Sequence, residues 1–244
     1  MRFRVQGEGG LVVELGDAID PALNARVHRL ARAVREALGD EVVEVVPSYR
    51  SLLVVFDPLR LARAALQARV AELAPRSEAE GEARPARLVT IPVCYGGQHG
   101  PDLAGVAAHA GLAEAEVVRL HAASSYLVYM LGFTPGFPYL GGLDPRLATP
   151  RLATPRTEVP AGAVAIGGAQ TGIYPVASPG GWRLVGRTPL RLFDPGAPSP
   201  FLLAPGDRVR FLPVDAAGFE RIARRVARGE PQPDTAALGG GDAP

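Results

Sequence analysis

Apolar positions recur along this chain in two different periods, and the change from one to the other divides it. Over the first 75 residues, short strand-like runs flank two stretches of helical period. Residues 2–5 and 11–15 read as strands. Asp20-Pro21 then offers an N-cap followed by proline at the first helical position. Leu23, Val27, Leu30, Val34 and Leu38 follow at spacings of three and four, and Gly39 is placed to end that helix. Two more strands are expected at 42–46 and 52–56, separated by Pro47-Ser48. Asp57-Pro58 repeats the start signal, with Leu59, Ala62, Leu66, Val70 and Leu73 on one helical face. The order ββαββα predicts a small α+β domain over residues 1–80, its arginine-rich outer helix faces solvated. The charged, aperiodic segment 75–85 marks the domain boundary.

The remaining chain is dominated by strand-length runs between Gly/Pro clusters, so a mainly-β domain is expected over 86–228. It opens with a strand at 88–93. A helical hairpin follows at 101–121, started by Pro101, broken by Gly111, and carrying Val117, Val118 and Leu120 in its second helix. Its outline resembles a helix-turn-helix, but the second helix bears Glu114, Glu116 and a single Arg119. That is a poor set for phosphates and base edges, so the hairpin reads as structural. A last strand at 208–214 and a short basic amphipathic helix at 219–226 close the domain, and 229–244 reads as a disordered tail. The pentapeptide RLATP occurs twice in succession, at 146–150 and 151–155. Two copies cannot build a solenoid and proline at every fifth position blocks helix and central strand, which leaves an extended connection across the surface.

Composition narrows the function classes. With 244 residues, 47% apolar content and a net charge of +1, the chain suits a soluble protein without the basic excess that nucleic acid demands. The first ten residues lack a signal-peptide apolar core, and no apolar run approaches the ~18 residues of a membrane span, so a cytoplasmic location is expected. The only cysteine, Cys94, allows no internal disulfide and reads as a small buried apolar residue. All 26 basic residues are arginine. With no lysine, the chain can carry neither a Schiff-base, nor a phosphate-loop, nor a biotinyl lysine.

No nucleophile elbow, zinc-binding helix or paired C-x-x-C is present, and no metal site is expected. The Gly-rich GGAQTG at 167–172 lacks the phosphate-loop ending and leads into strand. It reads either as a carbonyl or carboxylate cradle using Gln170 and Thr171, or as a turn with a buried polar anchor. The informative stretch is 132–142, where six Gly or Pro residues alternate with Phe133, Phe137, Tyr139 and Leu140. A solvated turn has no use for such rings, whereas a binding surface does. Arg156 and Arg187 sit in Pro-flanked rigid segments and could each hold a carboxylate or phosphate bidentately, or pair with Glu158, Asp144 or Asp194. Trp182 serves either as a groove wall or as core. Among the histidines, His28 and His109 read as structural or surface residues and His99 sits in a Gly-rich loop. His121 is a weak acid/base candidate that could equally stabilise a helix C-terminus.

The blocks GFTPGFPYLGGLD, ATPRTEVPAG, GGAQTGIYP, SPGGW and GRTPLRLFDP, in this order, resemble the allophanate hydrolase subunit 1 family. The resemblance covers most of the chain from Cys94 to about Val214, and the family pattern usually places histidine at the position of His121. It implies that the second domain is a cyclophilin-like β-barrel. On the motif positions it places a substrate- or partner-binding groove at Phe133, Pro135, Phe137, Tyr139, Arg156, Gln170, Thr171, Tyr174, Trp182 and Arg187. Only the second RLATP copy fits the family's TPR block, which leaves Arg151 without an implied role. The resemblance further implies one subunit of a hetero-oligomeric ATP-dependent amide hydrolase, 5-oxoprolinase above all, acting with a subunit 2-type protein and a further subunit. ATP and Mg²⁺ would then be bound mainly outside this chain. Its alternatives are a regulator that inhibits a sensor histidine kinase, and a urea-amidolyase-type carboxyltransferase component. A cyclophilin-like shape does not by itself imply prolyl isomerisation.

Overall fold

The computed structural model describes residues 1–79, 87–230 and 235–237. They fall in two units, Met1–Arg84 and Pro85–Pro244.

The first unit runs β1 (Arg2–Gln6), β2 (Gly10–Glu14), α1 (Pro21–Leu38), β3 (Val42–Pro47), β4 (Ser51–Phe56) and α2 (Arg63–Ala79). The strands form one antiparallel sheet in the order β1-β2-β4-β3. Leu11, Val13, Leu52 and Val54 from the sheet pack against Val27, Leu30, Val34, Leu66 and Val70 from the helices. Asp20 caps α1 by accepting the Leu23 N–H at 2.8 Å, as its position before Pro21 requires. The second helix departs from expectation at both ends. Asp57 accepts the N–H of Leu59 at 2.9 Å, two residues on, and its carbonyl accepts from Leu61 at 3.0 Å. This closes a turn in place of a helix, which begins only at Arg63. Leu59 is consequently 95% exposed, and Leu61 enters the core in its place. At the other end α2 continues through Pro75 to Ala79, so the first residues of the expected boundary segment are helical; 80–86 lie outside the described residues.

The second unit begins with β5 (Arg87–Tyr95), the helices α3 (Leu103–Ala110) and α4 (Glu114–Ala123), and the strands β6 (Tyr126–Leu131) and β7 (Pro138–Gly141). It continues with β8 (Arg156–Val159), β9 (Ala163–Gly167), β10 (Gln170–Ile173), β11 (Ser178–Gly180), β12 (Arg183–Arg187), β13 (Arg208–Pro213), α5 (Ala216–Ala227) and β14 (Thr235–Ala237). Seven strands pair in the order β12-β9-β10-β7-β6-β13-β5, and pairing of Gly186 with Tyr95 and Arg187 with Cys94 closes them into a barrel. All these pairings are antiparallel except β5 with β13. The barrel unit is thus mixed: Leu103 and Val106 of α3 and Val117 and Leu120 of α4 join Ile91, Val128, Ile166 and Phe211 in one core. Burying the apolar faces of both hairpin helices is the structural use of that hairpin. The tail expected to be disordered contains β14, which adds to β5 through Thr235 opposite Val89; its remaining residues from 231 on lie outside the described residues.

Candidate functional site

The alternation of β9 builds two surfaces at once. Val164 and Ile166 point into the barrel core, while Ala163 and Ala165 point to the opposite face and join a separate apolar cluster. The small side chains on that outer face leave room for rings. Phe137 lies at its centre, with ring centroids 5.2 Å from Tyr139, 5.2 Å from Tyr174, 5.6 Å from Trp182 and 5.6 Å from Phe133, all edge-to-face. Phe137, Tyr174 and Trp182 are buried; Phe133 is 63% exposed and stands as the rim. A Cβ on Gly167 would come within 2.5 Å of the Trp182 indole, so the ring seats directly on the strand backbone.

Two turns in succession place Phe133. The Thr134 N–H donates to the Gly132 carbonyl at 2.8 Å, a three-residue turn that holds Phe133 at φ +66°. The Phe137 N–H then donates to the Thr134 carbonyl at 3.0 Å, with the exposed Pro135 and the buried Gly136, at φ +82°, between them. Proline then glycine at positive φ is the order a type II turn needs. Phe133 is the only non-glycine residue at positive φ among the described residues, and such strain gathers where a surface is used.

A strap crosses beside the cluster. Thr149 and Gly168 exchange backbone hydrogen bonds of 3.2 and 2.8 Å, and the Leu152 N–H donates to the Gly181 carbonyl at 2.7 Å. This anchors the junction of the two RLATP copies and lays the Arg151 guanidinium 5.7 Å from the centre of the Trp182 ring. Arg183, next to Trp182, donates its Nε to the Pro150 carbonyl at 3.2 Å. Burial raises the Tyr174 phenol above its ordinary value, opposed by a hydrogen bond from the Trp182 backbone and by the charges of Arg151 and Arg156.

The other expected site residues are distributed differently. Arg156 forms a bidentate pair with Asp102 at 2.9 Å for both bonds, and Asp102 also accepts the Leu184 N–H at 2.7 Å. Arg187 donates to the Ala161 carbonyl at 2.9 Å and lies close enough to His99 to lower its pKa, second to burial. Gln170 begins β10 after the Gly168-Ala169 turn of a hairpin, so no helix N-terminus faces that loop. Thr171, on the barrel side of β10, meets His121 of α4. Both are wholly buried, and His121 Nε2 meets Thr171 Oγ1 at 2.9 Å while Nδ1 meets the Tyr95 hydroxyl at 2.8 Å. With both ring nitrogens occupied and the ring sealed from solvent, His121 presents nothing to a substrate in this structure. Sequence reasoning assigns no site role to Arg151, Arg183 or Asp102. The repeat itself is the signal for Arg151, since a strap held at two points must carry something.

Among the described residues no group of three or more His, Cys, Asp and Glu could hold a metal ion, and no helix is long and apolar enough to cross a membrane.

The carboxyltransferase domain, subdomain C and D, matches residues 1–203. The B-type subunit of 5-oxoprolinase from Escherichia coli O157:H7 is 50% identical over 209 residues, which is 85% of this chain and 93% of the relative. The chain belongs to the family of 5-oxoprolinase B-type subunits. Two solved structures extend the family outward. TTHA0988 is 42% identical with a TM-score of 0.74 over 85% of this chain, and the match occupies 40% of that longer chain. The urea carboxylase of Kluyveromyces lactis is 25% identical with a TM-score of 0.77 over 96% of this chain, and the match occupies 23% of it. The family's unit thus also occurs as part of longer single chains.

Proposed function

We propose that this chain is the B-type subunit of an ATP-dependent 5-oxoprolinase, which opens the lactam of 5-oxoproline to glutamate together with a subunit 2-type protein and a further subunit. The observation that carries this reading is the 50% identity to the Escherichia coli 5-oxoprolinase chain across 93% of that relative. Hydrolysing an unactivated lactam requires activation of its carbonyl and stabilisation of the charge that develops. The chain supplies an aromatic face, ordered arginines and no lysine, so the nucleotide and metal chemistry is assigned to the partners. A carboxyltransferase role of the urea-amidolyase kind is the second reading, favoured by the domain matched over 1–203 and by the urea carboxylase fold. The test compares the purified chain with the reconstituted set of subunits for glutamate release from 5-oxoproline with ATP and Mg²⁺. Turnover only by the set is expected. Turnover by the chain alone refutes this division of labour, and an inactive set that carboxylates urea from a biotin carrier favours the second reading.

A further inference from the structure

Two cations beside the aromatic cluster, Arg151 over Trp182 and Arg183 against the strap, have no anion among the described residues. Arg156 is neutralised by Asp102 through two bonds of 2.9 Å. Arg151 and Arg183 are not: among the described residues neither makes an ion pair. Among those residues the only polar contact of the Arg183 side chain is its Nε to the Pro150 carbonyl, and the Arg151 side chain has its ring contact with Trp182 and no hydrogen bond. Both are nonetheless held in place. Arg151 belongs to a strap tied at Thr149 and Leu152 and rests over a buried indole; Arg183 is tied back to that same strap. A guanidinium held over an indole, here at 5.7 Å, loses rotamer freedom before a ligand arrives and keeps N–H groups for a carboxylate. Beneath it the rings of Trp182, Phe137 and Tyr174 are buried against one another, and Phe133 stands exposed beyond them.

We infer that Arg151, its strap tied back by Arg183, binds the carboxylate of a small cyclic carboxylic acid at the protein surface beside Trp182. The choice of a cyclic acid rests on the 5-oxoprolinase reading; the free guanidinium does not. One fork without a second bidentate partner suits a planar monoanion better than phosphate.

Trp182 is the only tryptophan in the chain, so its emission reports on this site alone. The full-length chain is titrated at constant ionic strength with 5-oxoproline, cyclopentanecarboxylate, 2-pyrrolidinone and inorganic phosphate. A saturable change with a cyclic acid and none with 2-pyrrolidinone, which keeps the lactam but lacks the carboxylate, is expected. Arg151→Gln should weaken binding about tenfold or more, and Arg151→Lys should fall between. Because Arg151 is exposed, these variants fold, which circular dichroism checks. No saturable response to either acid, an equal response to 2-pyrrolidinone, tighter binding of phosphate, or unchanged binding by Arg151→Gln overturns the site. Binding of cyclopentanecarboxylate with 5-oxoproline silent supports the site and counts against the 5-oxoprolinase reading. Absence of binding beside an active reconstituted set does the reverse.

Discussion

Inside the barrel, Tyr95 and His121 share a hydrogen bond of 2.8 Å whose direction is determined by what lies on the other side of the ring. Thr171 has one hydroxyl proton and donates it to the Ala165 carbonyl at 2.9 Å, so Thr171 Oγ1 can only accept from His121 Nε2. Nε2 therefore carries the ring proton and Nδ1 accepts from Tyr95. The chain Tyr95–His121–Thr171–Ala165 joins β5, α4, β10 and β9 across the interior with every member satisfied.

Burial lowers the His121 pKa from 6.5 to about 3, so the ring should remain neutral at every pH at which the barrel is folded. The unfolded chain binds that proton below pH 6.5 and the folded chain does not. Stability is therefore fully present above 6.5 and falls as pH drops, by up to about 1.4 kcal/mol per unit down to about 3. Nitrogen-15 NMR of the ring should show the Nε2–H tautomer without titration between pH 5 and 8. A titration midpoint near 6 contradicts the sealed position.

Thr171→Val keeps the shape of the side chain and removes its polar atom. It strands the His121 Nε2–H in a fully buried place and removes one bond to the Ala165 carbonyl, at about 2 kcal/mol. Urea unfolding of the isolated chain measures this. A loss below about 0.5 kcal/mol would mean that water reaches the ring.

Asp207 is 1% exposed and receives Arg87 through both carboxylate oxygens, together with the Ala204 N–H at 2.9 Å. Arg87 also reaches the Leu202 carbonyl at 3.1 Å, so the pair ties the start of β5 to the loop that leads into β13. Asp207→Ala leaves a half-buried guanidinium unpaired and should cost about 3 kcal/mol. Asp207→Asn, which can still accept one bond, should cost less. Equal losses for the two would show that the carboxylate charge of Asp207, not its acceptance from the Ala204 N–H, carries the effect.

What could be read in advance followed local rules. Asp20-Pro21 and Gly39 bracket a helix whose apolar spacing is unambiguous, and Gly/Pro clusters separate strand-length runs throughout 126–195. Asp57-Pro58 misled because an aspartate that closes a turn onto Leu59 looks, in sequence, the same as one that caps a helix. The aromatic residues at 133–140 were expected to form a surface, but Phe137 is buried and Leu140 lies in the barrel core, so ring content and turn residues alone did not separate the exposed Phe133 from the interior. The surroundings of His121 were not legible. Tyr95 and Thr171 lie 26 and 50 residues away and meet it only when the barrel closes. For the same reason Arg156 gave no sign of its partner, since Asp102 is 54 residues distant.

The strained turn at Phe133 separates folding from binding. Its phenyl ring is 63% exposed, so removing it forfeits little burial, and glycine adopts φ +66° without the penalty that a side chain incurs there. Phe133→Gly should therefore stay within about 1 kcal/mol of wild-type stability. If the aromatic face is where the chain meets its substrate or partner subunits, the same variant should lose that function. Isothermal titration against the subunit 2-type protein and the KM for 5-oxoproline of the reconstituted set are the two readouts. Loss in the first with the second unchanged assigns the rim to assembly, and the reverse assigns it to substrate. A variant that is as stable and as competent as wild type in both removes Phe133 from the site, and leaves its backbone strain without a purpose in this protein.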